Sequence, residues 1–588
     1  MGKRRTSQTD RPRKCKRTGR QARAGRQTLR SEKIGALPII NHFLKRLRLE
    51  EWLQEYLPPE DKRVKIPASK GLLVLVRNLL VSREPLYGIG EWAAGYAPDL
   101  LGLPRHQLEA LSDDGVGRAL GCLFRSEQGA FVLAVVRHTI TAFEVALEEL
   151  HNDSTTITFH GKYEEAAEEG TRGGRRTLAI TWGHNKDHRP DLKQLVYILT
   201  LSEDGGVPVH FRAANGNTTD DQTHVDTWKL LCELAGRKDF LYVADSKLAT
   251  SGNMTYIAGK GGRFITVLPQ TRGEDKAFRK ALREGKVSWR TVHEKIDEED
   301  EEEGKVLDRF SVANEPAVSA EGYRLLWYHS TRKAEVDGLA RAARLQRATR
   351  ELDELRQRLA SPRTRYRTQS KVAEAVEAIL KSREVEDWIS VAIEPRTEEH
   401  YRQEGRGRPT KDTRYTKEVS TRFHLTYRID HARIAEDQQT DGVFPLITND
   451  VELSEQQVLL VYKRQPVIEK RFSQLKTDFR VAPVYLKEVS RIQALLCVYF
   501  LVLLIESLLE RELRRAMERE QLESLPLYPE ERPCRRPTAR RVIDLFEDIQ
   551  RHTVRGDSPD ETVFVTELTD LQRHILKLLG VPATEYHA

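Results

Sequence analysis

Apolar residues recur at helical spacing in the first part of the chain. Ser69 precedes one such stripe, so it is a candidate N-cap for a core-facing helix. The stripe consists of Leu72, Leu73, Val76, Leu79 and Leu80. A second pattern starts at Ser112 and Asp113, and the run Phe131–Leu147 gives a third. Residues 34–148 are therefore predicted to form a helical domain, of a size that suits a helix-turn-helix and DNA binding.

The period of the pattern changes to two after residue 149. Thr155–His160, Leu178–Trp182 and Val196–Leu201 alternate as strands do, with Asp153 expected to open the first of them. Gly205 and Gly206 mark a hairpin turn, after which helical and strand patterns alternate as far as residue 270. Several strands followed by α-β-α-β predict a mixed sheet with helices packed on it.

The stretch 271–440 does not continue this pattern and is predicted to be an insertion with its own small core. It holds an acidic run, Asp297–Glu303, expected to be a solvated loop, and a charge-rich helix, Leu339–Leu359. Its segment Gly405–Tyr415 is rich in Gly and Arg and is expected to be exposed. The sheet pattern resumes over 441–515, and 516–588 is predicted to be a helical tail.

A long helix is predicted within the resumed sheet region. Ser454 and Gln457 form a capping box that opens it, and it is expected to reach Lys476. Pro466 should kink or interrupt this helix, because proline lacks the amide hydrogen and clashes with the preceding turn.

The basic charge of the chain is concentrated at its start. The chain has 588 residues and a net charge of +7, but its first 30 residues carry twelve Lys or Arg against the single acid Asp10. Residues 1–33 are therefore predicted to be a disordered basic arm, either a contact for nucleic acid or a solvated tail. The rest of the chain is net negative, so a polyanion partner has to be argued from where the basic residues lie.

The cysteines and the apolar runs indicate in which cellular compartment the protein is expected. The five cysteines include no C-x-x-C pair, which argues against a disulfide framework and a zinc ribbon. The start of the chain lacks the apolar segment of a signal peptide, and the longest apolar run, Ala494–Ile505, is shorter than the roughly 20 residues that span a bilayer. We expect a soluble protein of the reducing cytoplasm, with no membrane partner.

Three carboxylates lie at informative points of the predicted elements. Asp153 lies on the first strand, Asp245 closes the strand after a helix, and Glu469 lies on the helix after the insertion. Residues from three elements of one mixed sheet can meet at one edge, and Mg²⁺ prefers oxygen ligands. A chain with 89 acidic residues also offers such a trio by chance, so the surrounding sequence has to decide.

That surrounding sequence resembles the DDE transposases of bacterial insertion sequences. Tyr462-Lys-Arg-Gln-Pro-Val-Ile-Glu469-Lys-Arg-Phe-Ser-Gln-Leu-Lys476 is similar to their signature Y-x2-R-x3-E-x6-K, in the subgroup with a large insertion between the second Asp and the Glu. Gln465 stands at the Arg position of the signature, and Arg464 comes one residue earlier. The segments 183–194, 213–220 and 243–248 are similar to segments of the same subgroup.

The resemblance implies a fold and an activity. The fold is α/β, an RNase H-like mixed sheet (149–270 and 441–515) interrupted by the insertion domain, with helical N-terminal and C-terminal regions. The activity is metal-dependent cleavage at transposon ends followed by strand transfer, with Asp153, Asp245 and Glu469 holding two Mg²⁺ or Mn²⁺ ions. The implied partners are double-stranded DNA, namely terminal inverted repeats and target DNA, and a second copy of the chain in a synaptic dimer at the bacterial nucleoid.

Several basic and aromatic residues are expected to contact DNA. The candidates are Tyr462, Lys463, Arg464, Arg471, Lys476, His184, Lys186, His188 and Arg189. His184, Asp187 and His188 could instead bind zinc or stabilise a turn. If Arg464 replaces the signature Arg, Gln465→Ala should have little effect and Arg464→Ala should weaken DNA binding. Two other functions stay open: an RNase H-like nuclease that does not join strands, and an inactive, transposase-derived DNA-binding regulator.

Overall fold

The computed structural model describes most of the chain. The described residues are 28–61, 63–296, 305–315, 317–361, 363–478, 486–528, 530–555 and 561–587. The acidic run Asp297–Glu303 and residues 1–27 of the basic arm lie outside them.

Seventeen strands are named in the described residues. They are β1 (Thr28–Lys33), β2 (Glu149–Phe159), β3 (Gly170–Arg172), β4 (Arg175–Thr177), β5 (Lys193–Ser202), β6 (Pro208–Ala214), β7 (Leu241–Ala244), β8 (Arg263–Val267), β9 (Trp289–Ile296), β10 (Val306–Ala313), β11 (Ala317–Val318), β12 (Arg324–Ser330), β13 (Ile389–Gln403), β14 (Tyr415–Ile429), β15 (Val443–Thr448), β16 (Gln550–Arg555) and β17 (Glu561–Val565).

Nineteen α-helices are named in the same part of the chain. They are α1 (Leu37–Arg46), α2 (Leu49–Tyr56), α3 (Ala68–Val81), α4 (Ile89–Ala94), α5 (Pro98–Leu101), α6 (Arg105–Leu108), α7 (Asp113–Arg125), α8 (Gln128–Phe143), α9 (His224–Ala235), α10 (Ser251–Gly259), α11 (Gly273–Arg283), α12 (Thr331–Ala360), α13 (Gln369–Arg383), α14 (His431–Gln438), α15 (Glu455–Tyr462), α16 (Pro466–Ser473), α17 (Val489–Arg519), α18 (Ala539–Leu545) and α19 (Asp570–Leu579).

The chain divides into two compact units. Residues 1–131 and 504–588 make one unit, and residues 132–503 make the other. The first unit is therefore built from both ends of the sequence.

The first unit combines the predicted helices with a small sheet. Helix α7 begins at Asp113, where the second pattern starts, and Ser112 caps it, since the Ser112 Oγ accepts a hydrogen bond from the Gly115 amide at 3.2 Å. Helix α3 begins one residue before the predicted cap Ser69, and Pro67 stands at its N-cap. The sheet has the order β1-β16-β17, which corrects two predictions: residues 28–33 of the arm form a strand, and the C-terminal tail is not all helical.

The second unit contains a large mixed sheet, as predicted. Its strand order is β6-β5-β2-β7-β8-β15-β12-β10-β9, with β11 paired to β12. The strands β2, β7 and β8 are parallel neighbours, and the other pairings in this sheet are antiparallel. The predicted hairpin at Gly205 and Gly206 joins β5 to β6, and both glycines have positive φ angles. The strand predicted over Leu178–Trp182 is reduced to one isolated bridge between Thr181 and Gln194.

The predicted insertion is divided between this sheet and a small subdomain. Strands β9 to β12 extend the large sheet, so the boundaries 271–440 do not enclose a separate unit. Helices α12 and α13 and the ribbon β13–β14 form the subdomain, with a core of its own around Leu352, Leu355 and Leu425. The prediction of a separate core is therefore confirmed for this smaller segment.

The helix predicted from Ser454 to Lys476 is broken. Ser454 and Gln457 form the predicted capping box, but α15 ends at Tyr462, and α16 begins at Pro466. A π-helical turn, Gln474–Asp478, follows α16 and carries Lys476. The interruption at Pro466 is confirmed, and the uniform helical face that would join Tyr462, Glu469 and Lys476 is absent.

Helix α17 contains the longest apolar run. It is the one helix among the described residues long and apolar enough by itself to cross a membrane, and 94% of its most apolar window is buried within the protein. Helices α7 and α8 pass the same test only as a pair bent by 90°. Buried core helices can have this same length and composition.

Candidate active site

Two of the three predicted carboxylates lie side by side on neighbouring strands. Strands β2 and β7 are parallel, and their register pairs Asn152 with Ala244. Asp153 is the next residue on β2, and Asp245 is the residue directly after the carboxyl end of β7. Because paired strands lie about 4.8 Å apart, the pairing itself brings the two aspartates together. Asp153 lies within β2, which begins at Glu149, and so it does not open the strand as predicted.

The Asp153 carboxyl resists ionisation. Burial raises its pKa to about 6; the Lys186 ammonium opposes this shift, and the negative charge of Asp245 adds to it. The Asp153 side chain is 20% exposed, and its Oδ1 lies 3.2 Å from Lys186 Nζ. A like-charged neighbour and partial burial both favour the protonated form, so this pair gains from a cation.

The charges of all three carboxylates affect the hydroxyl of Tyr462. Burial raises the pKa of its phenol to about 12, and the charges of Asp245, Glu469 and Asp153 add to the increase. The three carboxylates therefore act electrostatically on one hydroxyl. At neutral pH this hydroxyl keeps its proton and can donate a hydrogen bond.

The donor chemistry of the two aspartates suits a divalent cation. Mg²⁺ and Mn²⁺ take carboxylate oxygens, and a cation offsets both the burial and the neighbouring charge of Asp245 that raise the pKa of Asp153. Glu469 lies on α16 and is exposed. The described residues contain no group of three or more His, Cys, Asp or Glu side chains spaced as metal ligands. The three carboxylates thus share an electrostatic site but do not form a complete ligand shell.

A polar joint fastens the turn between α15 and α16 to strand β2. Gln465 is buried; its Nε2 donates to the Asn152 carbonyl at 3.3 Å, and its Oε1 lies 2.8 Å from His151 Nδ1. His151 Nε2 lies 2.7 Å from Glu149 Oε1. Both ring nitrogens of His151 therefore face acceptors. This joint connects the helix of Glu469 with the strand of Asp153.

Arg464 belongs to the same joint. Its Nε donates to Glu149 Oε1 at 2.7 Å, and it also pairs with Glu203. Burial alone would raise the pKa of Glu149, but hydrogen bonds from His151 and Arg464 hold that pKa below its ordinary value. The guanidinium of Arg464 thus has two carboxylate partners within the protein. The expectation that Gln465 is dispensable disagrees with its buried, hydrogen-bonded place.

Arg471 is not available to DNA, which corrects the prediction. It is one of the most deeply buried large side chains, and its guanidinium donates to the carbonyls of Gly205 and Gly206 at 3.2 Å. Arg471 therefore fixes α16 to the β5–β6 turn. Lys463 also has protein partners: its ammonium lies 4.7 Å from the ring centre of Phe310 and 4.9 Å from that of Phe444.

The segment 183–194 forms a loop beside Asp153. Lys186 Nζ donates to the Ser154 carbonyl at 2.7 Å as well as to Asp153. The next residue, Asp187, accepts a hydrogen bond from Lys476 Nζ at 2.6 Å. Lys186 and Lys476, two predicted DNA contacts, thus each pair with an aspartate of the protein, and their contact with DNA stays a prediction.

The loop is held by its amides and by close backbone contact. Asn185 is buried; its Oδ1 accepts from the amides of Asp187 and Arg189, and its Nδ2 donates to Gln194. A Cβ at Gly183 would lie 2.0 Å from the Gly216 carbonyl oxygen, so only glycine fits there. Two of the segments quoted from the sequence, 183–194 and 213–220, therefore pack directly against each other.

The remaining predicted DNA contacts of this loop lie on its surface. His184 and His188 are exposed, and neither belongs to a metal-binding group among the described residues. Arg189 donates to both carboxylate oxygens of Asp191, at 2.8 and 2.7 Å. The zinc interpretation has no further ligand to support it, and contact with DNA stays a prediction for these three residues.

Several residues of the site carry little or no signal in the sequence. Asn185 and Gln194 are marked only by their place in the matched segment 183–194. His151 and Glu149 have no local signal, because their partners Gln465 and Arg464 are some 315 residues away along the chain. Trp327 and Trp388 have structural places: Trp327 is buried and stacks on Phe278, and Trp388 donates to Asp437.

Comparisons with known proteins identify the family of the chain. A family model described as a transposase DDE domain matches residues 148–505, and one described as a domain of unknown function, DUF4277, matches residues 29–136. No curated protein matches the chain.

Among solved structures, a cryo-EM structure of a piggyBac transposase synaptic complex with hairpin DNA is similar at 10% sequence identity, with a TM-score of 0.26. The match covers 46% of this chain and 57% of the piggyBac chain. The chain thus matches little more than half of the length of that relative. Because the transposase DDE model spans more than half of the sequence, the chain belongs to the family of DDE transposases.

Proposed function

We propose that the protein is a DNA transposase that cuts the ends of its own mobile element and joins them to target DNA. The observation that carries the proposal is the parallel pairing of β2 with β7, which sets Asp153 beside Asp245. Glu469 lies on α16, whose first turn Gln465 fastens to β2. Carboxylates placed in this way, in a family of DDE transposases, suit phosphodiester cleavage. The mixed sheet is consistent with an RNase H-like core, and the signature around Glu469 with a bacterial insertion sequence of the subgroup named above.

The reaction consists of two displacements at phosphorus. In the first, a water oxygen bonds to phosphorus, and the bond from phosphorus to the 3′ oxygen breaks, so that this oxygen leaves with a proton. In the second, the freed 3′-hydroxyl gives up its proton and its oxygen bonds to a phosphorus of target DNA, while the bond from that phosphorus to the target's own 3′ oxygen breaks and this oxygen leaves with a proton. No covalent enzyme intermediate is required, so the protein's part is positioning and charge neutralisation.

The residues of the site have separate roles in these steps. Asp153, Asp245 and Glu469 would hold two Mg²⁺ or Mn²⁺ ions. A bound divalent cation supplies charge neutralisation at the phosphate and acidifies water. Tyr462 donates a hydrogen bond to a phosphate oxygen, and Lys186 and Lys476 supply positive charge beside the reacting strand.

The partners and location follow from the same activity. Transposition joins two ends, so we propose a dimer on paired terminal inverted repeats. The protein works on chromosomal DNA, in the cytoplasm at the nucleoid. The helical segment of the first unit, including the DUF4277 region, is a candidate for recognition of the ends.

The test is cleavage and strand transfer on DNA that carries the sequences flanking the gene. Wild type should cut at the element boundary and join the ends in Mg²⁺ or Mn²⁺, and Glu469→Gln should abolish both steps while keeping DNA binding. Glu452→Gln is the matched control, because Glu452 is exposed and lies outside the site. Cutting without joining would identify a nuclease instead. Binding without cutting by the wild type would identify a regulator.

A further inference from the structure

The ribbon β13–β14 extends beyond the core that supports it. Its two strands pair without interruption from Ile389↔Ile429 to Gln403↔Tyr415. The base packs on α12 and α13 through Ile389, Phe423 and Leu425, and it shows the alternating burial of a sheet covered on one face. From Thr397 and Thr421 to the tip, nearly every residue is exposed. At about 3.3 Å per residue, this free part is roughly 20 Å long.

The free part below the tip, residues 397–403 and 415–421, is called the shaft here. Its charged side chains form ion pairs within the protein. Arg402 pairs across the strands with Glu418, and Lys417 pairs with Glu399 at 2.5 Å. Nearer the base, Arg422 pairs with Glu398 at 2.7 Å. The shaft therefore presents ion pairs rather than net charge.

The tip differs from the shaft in this respect. Residues 404–414 carry four cations, Arg406, Arg408, Lys411 and Arg414, against Glu404 and Asp412. All four cations are exposed, and within the described part of the chain their side chains have no hydrogen bond or ion pair to protein. Glu404 accepts from the Thr416 hydroxyl at 2.9 Å. Gly407, at φ +141°, takes a conformation that side-chain-bearing residues rarely adopt, which fixes the shape of this Arg-Gly-Arg tip.

Large apolar side chains are also exposed along the free part. Tyr401 is 62% exposed, Val419 59% and Tyr415 49%. Unpaired cations next to exposed aromatic rings are typical of surfaces that bind nucleic acid. Among the described residues the four tip cations have no protein partner, whereas the Tyr401 hydroxyl donates to Glu399 at 3.4 Å.

We propose that the free end of this ribbon binds double-stranded DNA by entering its major groove. The proposal rests on the proposed function, since a transposase has duplex DNA as its substrate. The major groove is about 12 Å wide and admits a two-stranded ribbon. Because its charges are paired, the shaft adds no net repulsion of the DNA phosphates. The four tip cations then reach phosphates or the major-groove edge of guanine, which arginine recognises.

The first experiment measures DNA binding by fluorescence anisotropy in EDTA, so that cleavage cannot contribute. The variant replaces Arg406, Arg408, Lys411 and Arg414 with Ala. The matched control replaces four exposed arginines of α12, Arg347, Arg350, Arg356 and Arg358, with Ala, which removes the same charge from the same subdomain. With the gene's flanking sequence as a duplex, the tip variant should bind at least about tenfold more weakly than the control at 0.15 M salt, and the salt dependence should fall by about three to four in slope.

The second experiment maps the groove. Dimethyl sulfate methylates guanine N7, which faces the major groove. Wild type should protect a set of guanines that become reactive with the tip variant and stay protected with the control. Circular dichroism and thermal unfolding of both variants report whether the fold is kept, since all eight side chains are exposed.

The outcomes separate this proposal from the function it rests on. If the tip variant binds and protects duplex DNA as well as the control does, the ribbon proposal is wrong and the transposase proposal stands. If wild type does not bind duplex DNA at all, both proposals fail. A tip variant that keeps DNA binding but loses self-association in sedimentation would identify the ribbon as a contact between copies, and would also overturn the proposal.

Discussion

At the scale of single residues, the Tyr462 hydroxyl is the atom on which all three carboxylates act. With a pKa of about 12, the phenol stays protonated at every pH at which cleavage is measured. Tyr462→Phe removes the donor and keeps the ring that packs beside the sheet core. A hydrogen bond to a charged group contributes about 1.5–3 kcal/mol, so cleavage of the element end should slow by about tenfold to a hundredfold. Single-turnover cleavage at saturating DNA measures this change.

The control for that change is Tyr87→Phe, because Tyr87 is exposed in the other unit. An unchanged cleavage rate in Tyr462→Phe, with normal DNA binding, would remove the phenol from the mechanism. A loss of binding alone would give it a role in holding DNA rather than in the chemical step.

The raised pKa of Asp153 predicts how the stability of the protein depends on pH. Its pKa is raised to about 6 in the folded protein against 3.8 for an ordinary aspartate. The folded state therefore binds more protons than the unfolded state between these values, and stability falls as pH rises through this window. Asp153→Asn removes the charge and should stabilise the metal-free protein above pH 6, by an amount of the order of 2 kcal/mol, with no gain below about pH 4.

Thermal unfolding in EDTA across this pH range measures the effect. The matched control is Asp191→Asn, whose exposed carboxylate pairs with Arg189 and has its pKa lowered to about 2, so it should give no gain above pH 6. Equal behaviour of the two variants would show that burial and the neighbouring charge of Asp245 do not disfavour the ionised form of Asp153. Added Mg²⁺ should stabilise wild type more than Asp153→Asn, because the cation binds the ionised carboxylate.

At the scale of secondary-structure elements, the joint between β2 and the α15–α16 turn sets the place of Glu469. Gln465→Ala leaves the His151 Nδ1 and the Asn152 carbonyl without their partner in a buried place. An unsatisfied buried group costs about 1–3 kcal/mol, and α16 loses its fixed position on the strand of Asp153. We expect a lower melting temperature and slower cleavage, with little change in DNA affinity.

Gln456→Ala provides the control, since Gln456 is exposed on α15. Full activity and stability in Gln465→Ala would show that the joint does not position Glu469. Weaker DNA binding with an unchanged rate would restore the signature's basic-contact role to this position.

The same joint shows what the sequence could and could not predict. Local signals were sufficient for the capping box at Ser454, the break at Pro466, the Gly205-Gly206 hairpin and the adjacency of Asp153 and Asp245 on a mixed sheet. Arg464 and Arg471 were assigned to DNA because basic residues in a signature favour phosphate, and Gln465 was expected to be dispensable. Their protein partners lie more than 260 residues away, and no local pattern reveals such a pairing.

The extent of the insertion was also beyond local signals. The strands β9, β10 and β12 have ordinary strand patterns, but their membership of the large sheet depends on pairing with β15, which follows more than 100 residues after β12. The helical pattern of α12 and the exposed tip near Gly405 were readable because they depend on nearby residues. Pairing across such distances is a property of the folded chain.

At the scale of the whole molecule, the first unit is formed from the two ends of the sequence. Strand β1 pairs with β16 along all six of its residues, from Thr28↔Arg555 to Lys33↔Gln550. Ser31 Oγ adds a hydrogen bond to His552 Nδ1 at 2.8 Å. The unit therefore becomes complete only when the C-terminal segment is present, which makes its contacts among the least local of the chain.

This arrangement predicts different effects for two truncations of the basic arm. Removal of residues 2–27 leaves β1 in place, so the melting temperature should not change. Removal of residues 2–33 deletes the strand, exposes the edge of β16 and removes Glu32, a buried partner of Arg105. We expect this second truncation to lower the melting temperature by at least about 5 °C and to promote aggregation through the open edge. Differential scanning calorimetry and light scattering of the two proteins measure both effects, and equal melting of the two truncations would mean that β1 contributes nothing to the unit it completes.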